Sequence, residues 1–95
     1  MKEFCNLKLS ADVVSQINDE GMMVYCADEG MVHMLNTTAS EIFQLIEGGS
    51  NSLNDLVKKF ILKYNDVDQG ILISDIKEIL LNFETNKIII EWKNE

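Results

Sequence analysis

The spacing of apolar residues changes abruptly at Asn36, and that change limits the architecture more than any other feature of the chain. From Asp12 to Leu35 three short runs are strand-like: Val13-Val14-Ser15-Gln16-Ile17, Gly21-Met22-Met23-Val24-Tyr25-Cys26 and Met31-Val32-His33-Met34-Leu35. Two turn-type clusters separate them, Asn18-Asp19-Glu20-Gly21 and Ala27-Asp28-Glu29-Gly30. Both end in glycine, which enters a left-handed turn at no steric cost. Three short antiparallel strands are expected. Ahead of them Phe4 to Leu9 alternates Phe4, Asn6 and Lys8 against Cys5, Leu7 and Leu9, as a further short strand or an ordered arm would.

Beyond Asn36 the period is helical. Ala39, Ile42, Phe43 and Ile46 recur at i, i+3, i+4, i+7, with Thr38 and Glu41 spaced as a capping box and Gly48-Gly49 as a stop. Ser52, with Asp55 three residues on, opens a second helix whose stripe is Leu53, Leu56, Val57, Phe60, Ile61 and Tyr64; Asn65-Asp66 ends it. A third helix, capped by Asp66 or Asp68, carries Leu72, Ile76, Ile79, Leu80 and Phe83 on one face, and Asn86 suits the left-handed position after it. Lys87 to Trp92 reads as a last strand or extended tail. Strands first and helices afterwards give an α+β, winged-helix-like domain: a three-stranded antiparallel sheet, three helices and a C-terminal strand.

With 95 residues, no proline and no repeat, the chain is expected to form one domain over 1–95, with a core spanning about 13–90. No apolar run approaches the roughly 20 residues that span a bilayer. Met1 to Asn6 lacks the apolar stretch of a secretion signal, so a cytoplasmic location is expected. The net charge is −8, and all eight basic residues are lysines. Nucleic acid and acidic membranes are therefore poor partners: phosphate neutralisation needs cations, and the commonest base contact is an arginine fork.

Catalytic chemistry is not evident. His33 is the only histidine, and no motif places a nucleophile or an orienting group beside it. Cys5 and Cys26 form no C-x-x-C pair and have no second histidine to complete a metal set, so two free, partly buried thiols are expected, with no metal and no cofactor. Asp19-Glu20 and Asp28-Glu29 fall in turns, and Lys58, Lys59 and Lys63 share the outer side of the second helix; solvated charge explains both groups.

Taken in order, these segments carry a resemblance. Gly30-Met31-Val32-His33-Met34-Leu35-Asn36-Thr37-Thr38-Ala39 resembles the "Leu-Asn-x-Thr-Ala" passage of the PqqD-like family, the peptide-binding domains known as RiPP recognition elements. Ile42, Leu45 and Gly48-Gly49 are similar to that family's first helix and its stop. Ser52 to Leu56 and Tyr64-Asn65-Asp66-Val67 are similar to its second helix and "Tyr-x-Val" turn. Asp75-Ile76, Ile79-Leu80 and Phe83 stand at the positions of its Asp-Val, Phe-Leu and Leu. The family's usual glycine after the third helix is replaced by Asn86-Lys87, which asparagine's tolerance of the left-handed conformation accommodates.

The resemblance implies a non-catalytic peptide chaperone. It would bind the leader segment of a ribosomally made precursor as an added strand beside the third strand, against the third helix. It would then present that precursor to a radical enzyme, a cyclase or a leader protease, in a lasso-peptide or PqqD-type pathway. Met31, Val32, His33, Met34 and Leu35 would supply the strand edge, whose unpaired N–H and C=O groups bind an extended peptide. At about 100° per residue, Ile73 and Leu80 lie on one shoulder of the third helix beside Lys77 and Glu84, with Ile76 at its centre. That shoulder is the expected groove wall. The alternative reading is a winged-helix DNA-binding or general interaction module. The third helix argues against DNA, having only Lys77 against Asp68, Asp75, Glu78 and Glu84.

Overall fold

A computed structural model describes residues 4–19, 21–27, 29–64 and 66–91. The order is β1 (Leu7–Leu9), β2 (Val13–Asn18), β3 (Gly21–Cys26), β4 (Met31–Leu35), α1 (Thr37–Glu47), α2 (Leu53–Lys63), α3 (Gln69–Thr85) and β5 (Ile89–Glu91). Strands β2, β3 and β4 form an antiparallel sheet in that order, so β4 is an edge. The N-terminal arm is a strand: β1 pairs antiparallel with β5, Leu7 opposite Glu91 and Leu9 opposite Ile89. The last strand expected to reach Trp92 is described to Glu91, and Trp92 lies outside the described residues, as do Glu20, Asp28 and Asn65. The fold is the α+β, winged-helix-like arrangement expected from the change of period.

Each strand turns alternate residues to one side. Met22, Val24 and Cys26 of β3 enter the core, and the register carries that face to Leu35, His33 and Met31 of β4. The opposite face pairs Tyr25 with Val32 and Met23 with Met34, and leaves Val14, Tyr25, Val32 and Met34 exposed. Under the sheet the core gathers Ile42, Phe43 and Ile46 of α1, Leu56 and Phe60 of α2, and Leu72, Ile76, Leu80 and Phe83 of α3. Phe4, Leu7, Ile88 and Ile89 close it from the chain ends.

The helix ends follow cap chemistry, with two departures from the sequence reading. Helix α1 starts at Thr37, capped by Asn36 rather than by a Thr38–Glu41 box: Asn36 Oδ1 accepts the Ala39 N–H at 2.8 Å. With Asn36 supplying the acceptor for the third helical N–H, the helix starts earlier and Thr38 falls inside the first turn. Glu41 is thereby released to accept from the Tyr64 hydroxyl at 2.6 Å and to pair with Lys63 at 3.3 Å. Ser52 and Asp68 cap α2 and α3, accepting from Asp55 and Ile71.

At the end of α3 the left-handed residue is Lys87, with φ of 59°, and not Asn86, with φ of −89°. The Lys87 N–H donates to Glu84 at 3.1 Å and the Ile88 N–H to Phe83 at 2.8 Å. This is a Schellman stop, and it buries Ile88 in the core with Phe83. Gly49 ends α1 in the same way, with φ of 119°, its N–H donating to Ile46 and that of Ser50 to Leu45.

Candidate functional site

Three pieces of secondary structure meet at one open cleft. The end of β4 contributes Met34 and Leu35, the start of α1 contributes Asn36, Thr38 and Ala39, and α3 contributes Asp75, Glu78, Ile79, Asn82 and Phe83. Its volume is about 450 Å³. Its position follows from topology: among the described residues β4 pairs only with β3, and the end of its other edge, at Met34 and Leu35, borders this opening. An edge of this kind displays a row of main-chain donors and acceptors that an extended segment can pair with.

The five residues of β4 play different parts. Met31, Val32 and Met34 are exposed, Met34 at 56%, and Leu35 is buried in the core. His33 stands opposite Val24 on the core side, half-buried, and its Nε2 is enclosed without a hydrogen-bond partner among the described residues. An enclosed imidazole nitrogen of this kind is costly unless something pairs with it. It sits on the strand whose edge is open.

On α3 the cleft and the expected shoulder do not coincide. Ile76 and Leu80 are wholly enclosed and belong to the core, while Ile73, Lys77 and Glu84 are half-buried and none of them lines the cleft. The cleft opens on the opposite shoulder, along Asp75, Ile79 and Asn82, with Phe83 at its floor. The apolar arc of α3 is wide, and periodicity gives its centre without saying which flank the sheet leaves uncovered. Asn36, Thr38 and Ala39 escaped the sequence reading as lining residues because their spacing is accounted for by helix initiation. The family-like positions Asp75, Ile79 and Phe83 were the available signal, since all three face the cleft.

The electrostatics are one-sided. Among the described residues Asp75 and Glu78 are the only charged groups lining the cleft, and neither side chain has an ion pair or hydrogen bond. Two of the three lysines of α2 are engaged elsewhere: Lys59 with Asp55 at 3.2 Å and with the buried Ser50 hydroxyl, Lys63 with Glu41. The Ser50 and Lys59 hydrogen bonds hold the Asp55 carboxyl below its usual range. The Glu41 hydrogen bond raises both Tyr64 and Lys63.

No group of three His, Cys, Asp or Glu side chains able to hold a metal occurs among the described residues. Both cysteines are free, Cys26 buried and Cys5 exposed, where the sequence reading had both partly buried. No described helix is long and apolar enough to cross a membrane.

Comparison with known proteins bears on this geometry. The family described as coenzyme PQQ synthesis protein D (PqqD) matches residues 12–89, from the start of β2 through the first residue of β5. The chain belongs to the PqqD family. Two solved structures share the fold of this PqqD-family chain. The first, "TbiB1 in Complex with the TbiA(beta) Leader Peptide", superposes with a TM-score of 0.80 at 22% identity, covering 92% of this chain and 99% of that one. The second, "Lasso peptide synthetase B1 complexed with the leader peptide", gives 0.77 at 22% identity, covering 90% and 98%. No curated protein sequence matches significantly.

Proposed function

We propose that this PqqD-family chain is a leader-peptide recognition subunit. It captures the leader of a ribosomally made precursor as a strand added to β4 and presents the precursor to a separate modifying enzyme, such as a radical enzyme or a cyclase, or to a leader protease. The observation that carries the reading is the juxtaposition of the open β4 edge with the cleft against α3. Main-chain pairing along β4 supplies affinity, and the cleft sorts side chains. Both structural neighbours are described as complexes with leader peptides, which supports the same use of the fold here.

The chain itself performs no chemistry in this scheme. The Nε2 of its single histidine has no partner among the described residues, and a general base needs an oriented one. DNA binding is disfavoured because the carboxylates of α3 face the open cleft and would repel phosphates.

The test is calorimetric titration with the synthetic leader of the precursor encoded beside this chain. Micromolar or tighter binding, about 8 kcal/mol or more, is expected. Absence of binding with the correct leader in hand overturns the proposal.

A further inference from the structure

We infer that the cleft selects leaders that carry a lysine or arginine among the side chains facing α3, next to an apolar one. The inference rests on the leader-binding reading and adds a chemical class to it.

Asp75, Glu78 and Asn82 stand at i, i+3 and i+7, one stripe along α3, and all three line the cleft. Immediately inside that stripe lie Ile79 and Phe83, with Leu35 across from them at the end of β4. Among the described residues the lining is thus an apolar floor under a polar rim whose only charges are two carboxylates with no ion pair. An extended peptide beside β4 turns every second side chain toward this surface. A side chain with an aliphatic stem and a cationic head satisfies both layers at once, the stem over Ile79 and the head between the carboxylates. Lysine and arginine are the two side chains of that description. An acidic side chain there would meet like charge on a chain already at −8.

The experiment measures binding of the fluorescein-labelled synthetic leader to the wild-type chain and to the Asp75→Asn/Glu78→Gln double variant. Both residues are exposed and the replacements are close in shape, so folding is retained and is checked by circular dichroism. The double variant is expected to bind roughly three- to tenfold more weakly at about 50 mM NaCl, with the difference shrinking at about 500 mM. Replacing the leader's lysine or arginine by glutamate should weaken binding to the wild type, and Asp75→Lys/Glu78→Lys should restore it. A leader that binds wild type and neutralised variant equally, or that binds with no basic residue in its paired stretch, overturns the charge assignment and leaves leader binding standing. A leader that fails to bind the wild type overturns the leader-binding reading itself.

Discussion

The Asn36 side chain accepts the Ala39 N–H at 2.8 Å, at the junction where the open strand β4 becomes helix α1. Both residues also line the cleft, so one hydrogen bond fixes the start of the helix and the end of the cleft together.

Removing that bond has a defined cost. Asn36→Ala should lower stability by about 1 kcal/mol, the usual loss for an N-cap, whereas Asn36→Asp keeps an acceptor at the same place and should be close to neutral. Urea unfolding of the three proteins checks this, with the change expected in the midpoint and an unchanged slope.

Consecutive residues of a strand point their N–H groups to opposite sides, so proline substitution along β4 separates two roles. Of Val32→Pro and His33→Pro, one removes a donor to β3 and should destabilise the sheet. The other removes a donor from the open edge and should leave the fold intact while abolishing leader binding. Titrating the synthetic leader against both variants, with thermal unfolding as control, tests whether β4 is the pairing edge. Unchanged affinity in both folded variants would place the peptide elsewhere.

Lys87 occupies a left-handed conformation that costs a residue with a Cβ roughly 1 kcal/mol. Its ammonium pairs with Glu29 at 3.3 Å, but the lysine side chain is 65% exposed and such pairs contribute little. Lys87→Gly should therefore raise stability by about 0.5–1 kcal/mol. Lys87→Ala, which keeps the strain and loses the pair, should not. Chemical denaturation of the two variants distinguishes relief of strain from loss of the ion pair.

These contrasts show where the sequence is informative. Burying one face of a strand or helix leaves a periodic trace, so β2, β3, β4 and the helical stripes were legible from Val24, Ile42, Leu56 and Ile76 and their neighbours. The Ser52 cap was legible because a hydroxyl before an apolar stripe has one common use. The left-handed residue after α3 was misplaced by one position. Asparagine is favoured there by its own chemistry, but the chain must bring Ile88 back to Phe83, and that return sets the count. The open shoulder of α3 was illegible for a related reason: it depends on which flank β4 leaves bare, a relation between elements that no local pattern encodes. The PqqD-like passage at Leu35-Asn36 located the cleft's end more closely than the helical wheel located its wall.

The two thiols should behave as different chemical species. Burial, with a smaller contribution from the negative charge of Glu29, pushes the Cys26 thiol above its ordinary value, and its S–H points to the Asn86 carbonyl at 3.7 Å. Cys5 is exposed. At about pH 8 the thiolate is the reacting form, so iodoacetamide should modify Cys5 first and Cys26 far more slowly, with the difference vanishing in urea. Mass spectrometry of timed aliquots reads this directly. The same shift has a sign for stability. A folded-state value above the unfolded one means that the unfolded chain loses its proton first as pH rises. The stabilisation by Cys26 is thus complete below roughly pH 8.5 and declines toward the folded-state value. Cys26→Ala should show a shallower alkaline loss of stability than Cys5→Ala, and equal slopes would mean that the buried thiol titrates as it does in the unfolded chain.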